Sequence, residues 1–260
     1  MTSPARAGPE ADDDACLLQT RDLSVRFGGL VAVDAVSVTM RAAELIGIIG
    51  PNGAGKTTFF NAISGVIAPT GGRLTVRGRE LAGARPHAFA RAGVARTFQT
   101  PRVFTEMAVS GNIDFGLQFA GRHRPAPARL RDVDAILDLI GLGARAAVPA
   151  SEITPSQQRL LEIGMALATR PSLLLLDEVA AGLTENEVEA VARLIRSIRD
   201  ELGVCVVWIE HAVGILLRHV ERVIVLHQGR KLADGSPAEV VANAEVVEAY
   251  LGDEMVGQAG

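Results

Sequence analysis

The chain has 260 residues, near the upper end of what one hydrophobic core serves, so one domain with an inserted subdomain is expected. Hydrophobic residues make up 48% and charged residues 22%, which excludes disorder throughout, and the longest apolar run, residues 204–209, falls far short of the ~20 residues a membrane-spanning helix needs. A net charge of −4 gives no global electrostatic reason to bind nucleic acid, and two cysteines, Cys16 and Cys205, are too few for a disulfide framework or a zinc site.

Residues 1–15, with Pro4, Gly8, Pro9 and the acidic run Asp12, Asp13, Asp14, have no apolar region between a basic start and a cleavage site. A disordered tail over residues 1–16 is expected. Residues 17–25 and 31–40 alternate apolar and polar side chains around Gly28-Gly29, which predicts an antiparallel hairpin. Residues 44–49 form a short strand that enters a glycine-rich loop, and residues 57–64 have helical character. Strand-like segments return at 73–76, 173–176, 204–209 and 222–226, the central two fully apolar as in strands buried on both faces. A mostly parallel α/β sheet is implied.

Between Phe98 and Ala168 the texture changes: residues 109–119, 130–140 and 157–168 carry helical periodicity with no convincing strand. This is the expected inserted helical subdomain, about residues 100–168. The Arg- and Pro-rich loop at 121–127 that interrupts it reads as a solvated surface loop, with a phosphate or lipid site as the alternative, and receives no function. Residues 185–199 predict an amphipathic helix and 237–251 a terminal one, leaving 253–260 as a tail.

Gly50-Pro51-Asn52-Gly53-Ala54-Gly55-Lys56-Thr57 matches the P-loop pattern in full, after an apolar strand and before a helix. Its glycines let backbone N–H groups converge on phosphate oxygens, and the helix N-terminus adds partial positive charge. Lys56 is expected to reach the β and γ phosphates, Thr57 to ligate Mg²⁺, and Thr58 to touch the α phosphate. Residues 173–176 lead into Asp177-Glu178, two carboxylates at the strand edge where α/β folds bind ligands. Asp177 is expected to hold Mg²⁺ through water and Glu178 to polarise the attacking water. An acidic turn residue is the plainer reading of that pair taken alone.

The P-loop, then Gln99, then Thr154 to Gln157 opening a helix, then Asp177-Glu178, then His211 after an apolar strand, together resemble the ATP-binding subunits of ABC transporters. Arg96-Thr97-Phe98-Gln99, Arg102-Val103-Phe104, Ala180-Ala181-Gly182-Leu183 and Ala249-Tyr250-Leu251-Gly252 are similar to the branched-chain amino acid importer group. The resemblance implies a RecA-like P-loop NTPase core with an N-terminal antiparallel β subdomain and the inserted helical subdomain, over residues 17–252. It implies ATP and Mg²⁺ as ligands, and two such subunits facing head to tail on a pair of membrane permease subunits at the cytoplasmic face of the membrane, served indirectly by a substrate-binding protein. A heterodimer is the favoured pairing. By the same resemblance Phe27 stacks on adenine, Gln99 meets Mg²⁺ and reports nucleotide state, and His211 contacts the γ phosphate and positions Glu178. Phe98, Pro101, Val103 and Phe104 either line the groove that couples to the permease or serve helix packing.

Three positions depart from the family pattern. The signature, usually Leu-Ser-Gly-Gly-Gln, is here Ile153-Thr154-Pro155-Ser156-Gln157. Pro155 has no N–H, and Ser156 puts a side chain where glycine admits the partner subunit's phosphate, while Thr154, Pro155 and Gln157 also form a good capping-box helix start. Val179 stands for a proline and Ala212 for an aspartate, neither of which removes a reacting group. MgATP hydrolysis powering import of a branched-chain amino acid or similar small polar solute is the expected function. The alternative is a regulatory subunit that clamps ATP with little hydrolysis; a soluble ABC protein of repair or translation is disfavoured by the lack of a second nucleotide domain or a basic extension.

Overall fold

A computed structural model of the chain describes residues 16–119, 127–210 and 212–257. The tail at 1–15, the Arg/Pro segment at 120–126, His211 and residues 258–260 lie outside the described part.

Strands β1 (Cys16–Phe27) and β2 (Leu30–Arg41) pair antiparallel through Gly28-Gly29, with Leu18 opposite Met40 and Leu23 opposite Val36. Cys16 already belongs to β1, one residue inside the expected tail. Strand β3 (Leu45–Ile49), buried at every position, runs through the glycine loop into helix α1 (Lys56–Ile63). Strands β4 (Gly71–Val76) and β5 (Arg79–Glu80) complete a four-stranded antiparallel sheet in the order β2-β1-β4-β5. The segment expected at 73–76 thus joins the N-terminal sheet and not the parallel one. Its alternation explains why: Leu74 and Val76 are buried between less buried neighbours, the pattern of a one-faced strand.

Helix α2 (Pro86–Ala92), closed by Gly93 at φ 101°, and strand β6 (Val94–Arg96) were not legible in the sequence, being too short to show a period. Helices α3 (Val109–Phe119), α4 (Val133–Leu139) and α5 (Pro155–Ala168) follow. Helix α4 is shorter than the periodicity suggests because Asp132 caps it, its carboxylate accepting from the Ala135 N–H at 2.9 Å. Strand β7 (Leu173–Asp177), helix α6 (Glu185–Leu202), strand β8 (Cys205–Ile209), helix α7 (Val213–His219) and strands β9 (Arg222–His227) and β10 (Arg230–Gly235) come next. The single terminal helix expected at 237–251 is instead two, α8 (Pro237–Ala242) and α9 (Ala244–Gly257), because Asn243 turns extended at ψ 117° and its side chain accepts from the Glu245 N–H. Helix α9 also runs into the stretch expected to be a tail.

The second sheet has the order β10-β9-β3-β8-β7-β6, parallel except for β10. Strict alternation divides its side chains between two cores. Leu175, Val207, Ile48 and Ile224 face α1 and the antiparallel sheet, meeting Phe59, Phe60, Leu23 and Met40. Leu174, Leu176, Val206, Trp208 and Val225 face the helices, meeting Ile163, Leu167, Ile195 and Ile198. At roughly 25 cal/mol per Å² of apolar surface, these two buried layers supply the dominant stabilisation and hold the strand ends rigidly side by side. Cys205 lies in the first layer, where burial pushes its thiol up to about 12, so it is an inert small hydrophobe.

Candidate functional site: a nucleotide cleft at the strand ends

Strands β3, β8 and β7 are neighbours, so their C-terminal ends deliver the P-loop, Glu210 and the Asp177-Glu178 pair to one edge. The P-loop glycines are required by space. A Cβ at Gly50 would stand 2.1 Å from the Leu226 carbonyl oxygen, and one at Gly55, where φ is 96°, would stand 2.3 Å from that of Ala32. The loop is therefore pressed between β9 and the hairpin.

Lys56 is buried, and its ammonium donates to the carbonyl oxygens of Gly50 at 2.6 Å and Pro51 at 2.9 Å. Burial lowers its pKa, and the nearby negative charge of Glu178 opposes that shift. A cleft of about 320 Å³, within the size range of small-molecule sites, is lined by Phe27, residues 52–58 and Glu178. Thr57 is exposed on the cleft side, Thr58 half-buried. Phe27, 49% exposed at the end of β1, is part of the cleft's lining.

Asp177 and Glu178 are both buried. The Arg96 guanidinium bridges Asp177 Oδ2 at 3.0 Å and also donates to Asn61 Oδ1 at 2.7 Å and Ser64 Oγ at 3.0 Å, so β6, β7 and α1 meet on one cation. Gln99 Nε2 donates to Glu178 Oε2 at 2.8 Å. The oxygen set of Thr57, Gln99 and Asp177 is hard-donor chemistry that suits Mg²⁺. No cluster of three or more His, Cys, Asp or Glu side chains able to hold a metal occurs among the described residues. The cation would therefore rely on phosphate oxygens as well.

At the start of α5 the capping box forms as the residue types suggest: Thr154 Oγ1 accepts from the Gln157 N–H at 3.2 Å, and Gln157 Oε1 accepts from the Thr154 N–H at 3.0 Å. The Thr154 and Ser156 hydroxyls lie 3.0 Å apart. Glu187 stands close by, its carboxyl lowered from the usual range chiefly by the Thr184 N–H, then by the Thr184 and Ser156 hydroxyls. This helix N-terminus thus carries one missing donor at Pro155, one engaged donor at Gln157 and a neighbouring carboxylate.

The structure gathers Phe27, P-loop residues 52–58 and Glu178 around one cleft; Gln99 reaches it through its hydrogen bond to Glu178, while Asp177 is buried beside it against Arg96. Thr154, exposed, and Ser156 and Gln157, half-buried, stand at the head of α5, outside the lining of that cleft. Phe98 sits between two guanidinium groups, Arg96 at 4.8 Å and Arg102 at 4.1 Å from its ring centre. Val103 packs against the core, while Phe104 is exposed and meets Phe115 with ring centres 4.8 Å apart. Sequence reasoning missed Arg96, Glu162 and Glu210 as individual residues. Glu162 is buried on α5, accepts from the Phe98 and Arg102 N–H groups, and is pushed up to about 7 by burial against those two bonds. The signal available was a carboxylate inside an apolar helical face, Leu161-Glu162-Ile163.

A sequence model described as ABC transporter matches residues 33–181, which takes in the P-loop, Gln99 and Asp177-Glu178. The chain belongs to the ABC transporter family. A second model, for branched-chain amino acid ATP-binding cassette transporters, matches residues 230–256. This ABC protein is 40% identical over 251 residues to the high-affinity branched-chain amino acid transport ATP-binding protein LivG of Salmonella typhimurium, covering 91% of this chain and 98% of that one. It is 38% identical over 250 residues to the corresponding protein BraF of Pseudomonas aeruginosa, with the same coverage. Among solved structures it is similar to an ATP-binding cassette of an ABC transporter in its ADP conformation, at 28% identity and a TM-score of 0.80, covering 91% of this chain and 99% of that one. The fold class is that of the ABC ATPases, and the cassette is an ATP-binding ATPase.

Proposed function

We propose that this ABC ATPase powers import of branched-chain amino acids or a closely similar small polar solute. The observation that carries the reading is that the end-to-end likeness to LivG and BraF extends through the C-terminal match at residues 230–256, beyond what the nucleotide site needs. No helix among the described residues is long and apolar enough to cross a membrane. The likeness to LivG and BraF supports a cassette that works at the cytoplasmic face, on two permease subunits fed by a substrate-binding protein. The exposed aromatic pair Phe104 and Phe115, with Met107 beside it, supports docking on those permeases.

In the proposed reaction the P-loop N–H groups and Lys56 hold the ATP phosphates and take up the charge that develops on them. Thr57, Asp177 and Gln99 are the residues that would hold Mg²⁺, which supplies charge neutralisation on the phosphate oxygens when bound. Phe27 stacks on the adenine. Glu178 accepts a hydrogen bond from water and orients it toward the γ phosphate, with Gln99 steering the carboxylate. His211, outside the described residues, is assigned the γ-phosphate contact by position alone.

A second cassette completes each site with the head of its α5. Pro155, the engaged Gln157 N–H and Glu187 support a weak phosphate contact from this chain's own signature. A heterodimer is the favoured pairing, and its two sites would then be unequal, whereas a homodimer would carry the weak contact in both. Neither the cleft nor the relatives favour the regulatory-clamp reading. Affinity purification of the tagged chain from membranes tests the assignment: permease subunits and a second cassette are expected to co-purify, and recovery without any membrane protein would contradict it.

A further inference from the structure

Glu210 stands one residue past the end of β8, 3% exposed. Its Oε1 accepts the Ala180 backbone N–H at 2.7 Å and the Trp208 indole N–H at 2.9 Å. Two donors on one oxygen, one of them on a fully buried indole, allow the carboxylate a single orientation. Ala180 lies two residues beyond Glu178, on the loop that leaves β7 for α6.

Glu178 itself occupies the left-handed region at φ 52°, a conformation that strains a residue with a side chain. Its N–H donates to the Ile209 carbonyl at 3.0 Å, its own carbonyl accepts from the Arg159 guanidinium, and the Ala180 N–H is taken by Glu210. Two of these three ties run to consecutive residues of one strand end, Ile209 and Glu210. Val179 brings no ring to fix the backbone between them, so the corner depends on hydrogen bonds.

We propose that Glu210 is a positioning residue of the ATPase reaction: it anchors the backbone beyond Glu178 and thereby keeps the Glu178 carboxylate at the mouth of the P-loop cleft. The residue type supports this. Burial raises the Glu210 carboxyl, the Ala180 and Trp208 donors pull it back, and the charge of Glu178 raises it again. A carboxylate in such a place is unfavourable in itself, and an apolar side chain would fill the layer at lower cost. What the apolar side chain would not provide is the acceptor for Ala180.

The chain has one tryptophan, Trp208, so its emission reports directly on the Glu210 carboxylate. The test compares the full-length wild type with Glu210→Leu, Glu210→Gln and Glu210→Asp by MgATP affinity, single-turnover hydrolysis and Trp208 emission. Glu210→Leu removes the acceptor, Glu210→Gln keeps an oxygen in place, and Glu210→Asp withdraws it by one bond. Glu210→Leu is expected to slow hydrolysis about 10- to 100-fold through misplacement of Glu178, with a shifted Trp208 emission. Its ATP affinity should stay within about twofold, the mark of a group acting only in the chemical step. Glu210→Gln is expected to restore both rate and emission. If Glu210→Leu does not fold, Glu210→Asp carries the same expectation of a slowed rate at unchanged affinity. A shifted emission with a wild-type rate in either variant overturns the proposal. So does a loss in which rate and affinity fall together and Glu210→Gln gives no rescue, because that is general support of the fold.

Discussion

Gln99 Nε2 donates to Glu178 Oε2 at 2.8 Å, joining the loop after β6 to the carboxylate after β7 across 79 residues of sequence. The same loop is clipped to α5 where Glu162 Oε1 accepts the Arg102 N–H at 3.0 Å, so one short loop carries both the tie to α5 and the tie to Glu178. Gln99→Ala should slow steady-state hydrolysis about 10-fold, since a carboxylate free to rotate loses part of its alignment. ATP affinity should change far less, and nucleotide titration alongside turnover assays separates the two.

Lys56 holds the Gly50 and Pro51 carbonyl oxygens, and in the proposed reaction it would exchange them for phosphate oxygens. A charged hydrogen bond of about 1.5–3 kcal/mol corresponds to roughly 10- to 100-fold in affinity. Lys56→Ala should therefore weaken MgATP binding by that factor in calorimetry. Equal affinity of the two proteins would remove the P-loop assignment.

Glu162 makes stability depend on pH in a predictable direction. Its folded-state value of about 7 lies above the ordinary 4.5, so its protonated form favours the folded chain. That contribution is fully present below about pH 4.5 and is lost as pH rises through 7. Glu162→Gln mimics the neutral form at every pH. Its advantage over wild type in denaturant unfolding should shrink by about 2 kcal/mol between pH 7.5 and pH 5. A constant difference between the two proteins would mean that Glu162 is already ordinary.

Most of the fold was legible because its central strands are continuous apolar runs and its motifs punctuate them. Gly28-Gly29, the P-loop and the Thr154 capping box each carry a local mechanism that needs no tertiary context. What escaped was either short or set by contacts distant in sequence. Helix α2 and strand β6 have too few residues to show a period, and β4 reveals its sheet only through its partner β1. Asn243 breaks the terminal helix by its own side chain, which periodicity does not weigh. The same division holds at the site. The P-loop and Asp177-Glu178 are read from adjacent residues, whereas Arg96, Glu162 and Glu210 act through partners 30 to 81 positions away.

Ser156 is the residue to restore in the altered signature. Replacing it with glycine removes the side chain next to Glu187 and opens the α5 N-terminus to a phosphate. Ser156→Gly should raise hydrolysis about 2- to 10-fold at the site this signature completes, the worth of one recovered hydrogen bond. Single-site assays, with each cassette's catalytic glutamate silenced in turn, locate the gain. No change at either site would make Ser156 a tolerated helix-start residue.

Glu178→Gln in the purified membrane complex tests most directly whether Glu178 drives transport. Water-orienting carboxylates contribute about 10²–10⁴-fold to rate, with little part in holding the triphosphate. MgATP binding should persist, while hydrolysis and uptake of labelled leucine into proteoliposomes should collapse together. Uptake and turnover at wild-type rates in the Glu178→Gln complex would contradict the account.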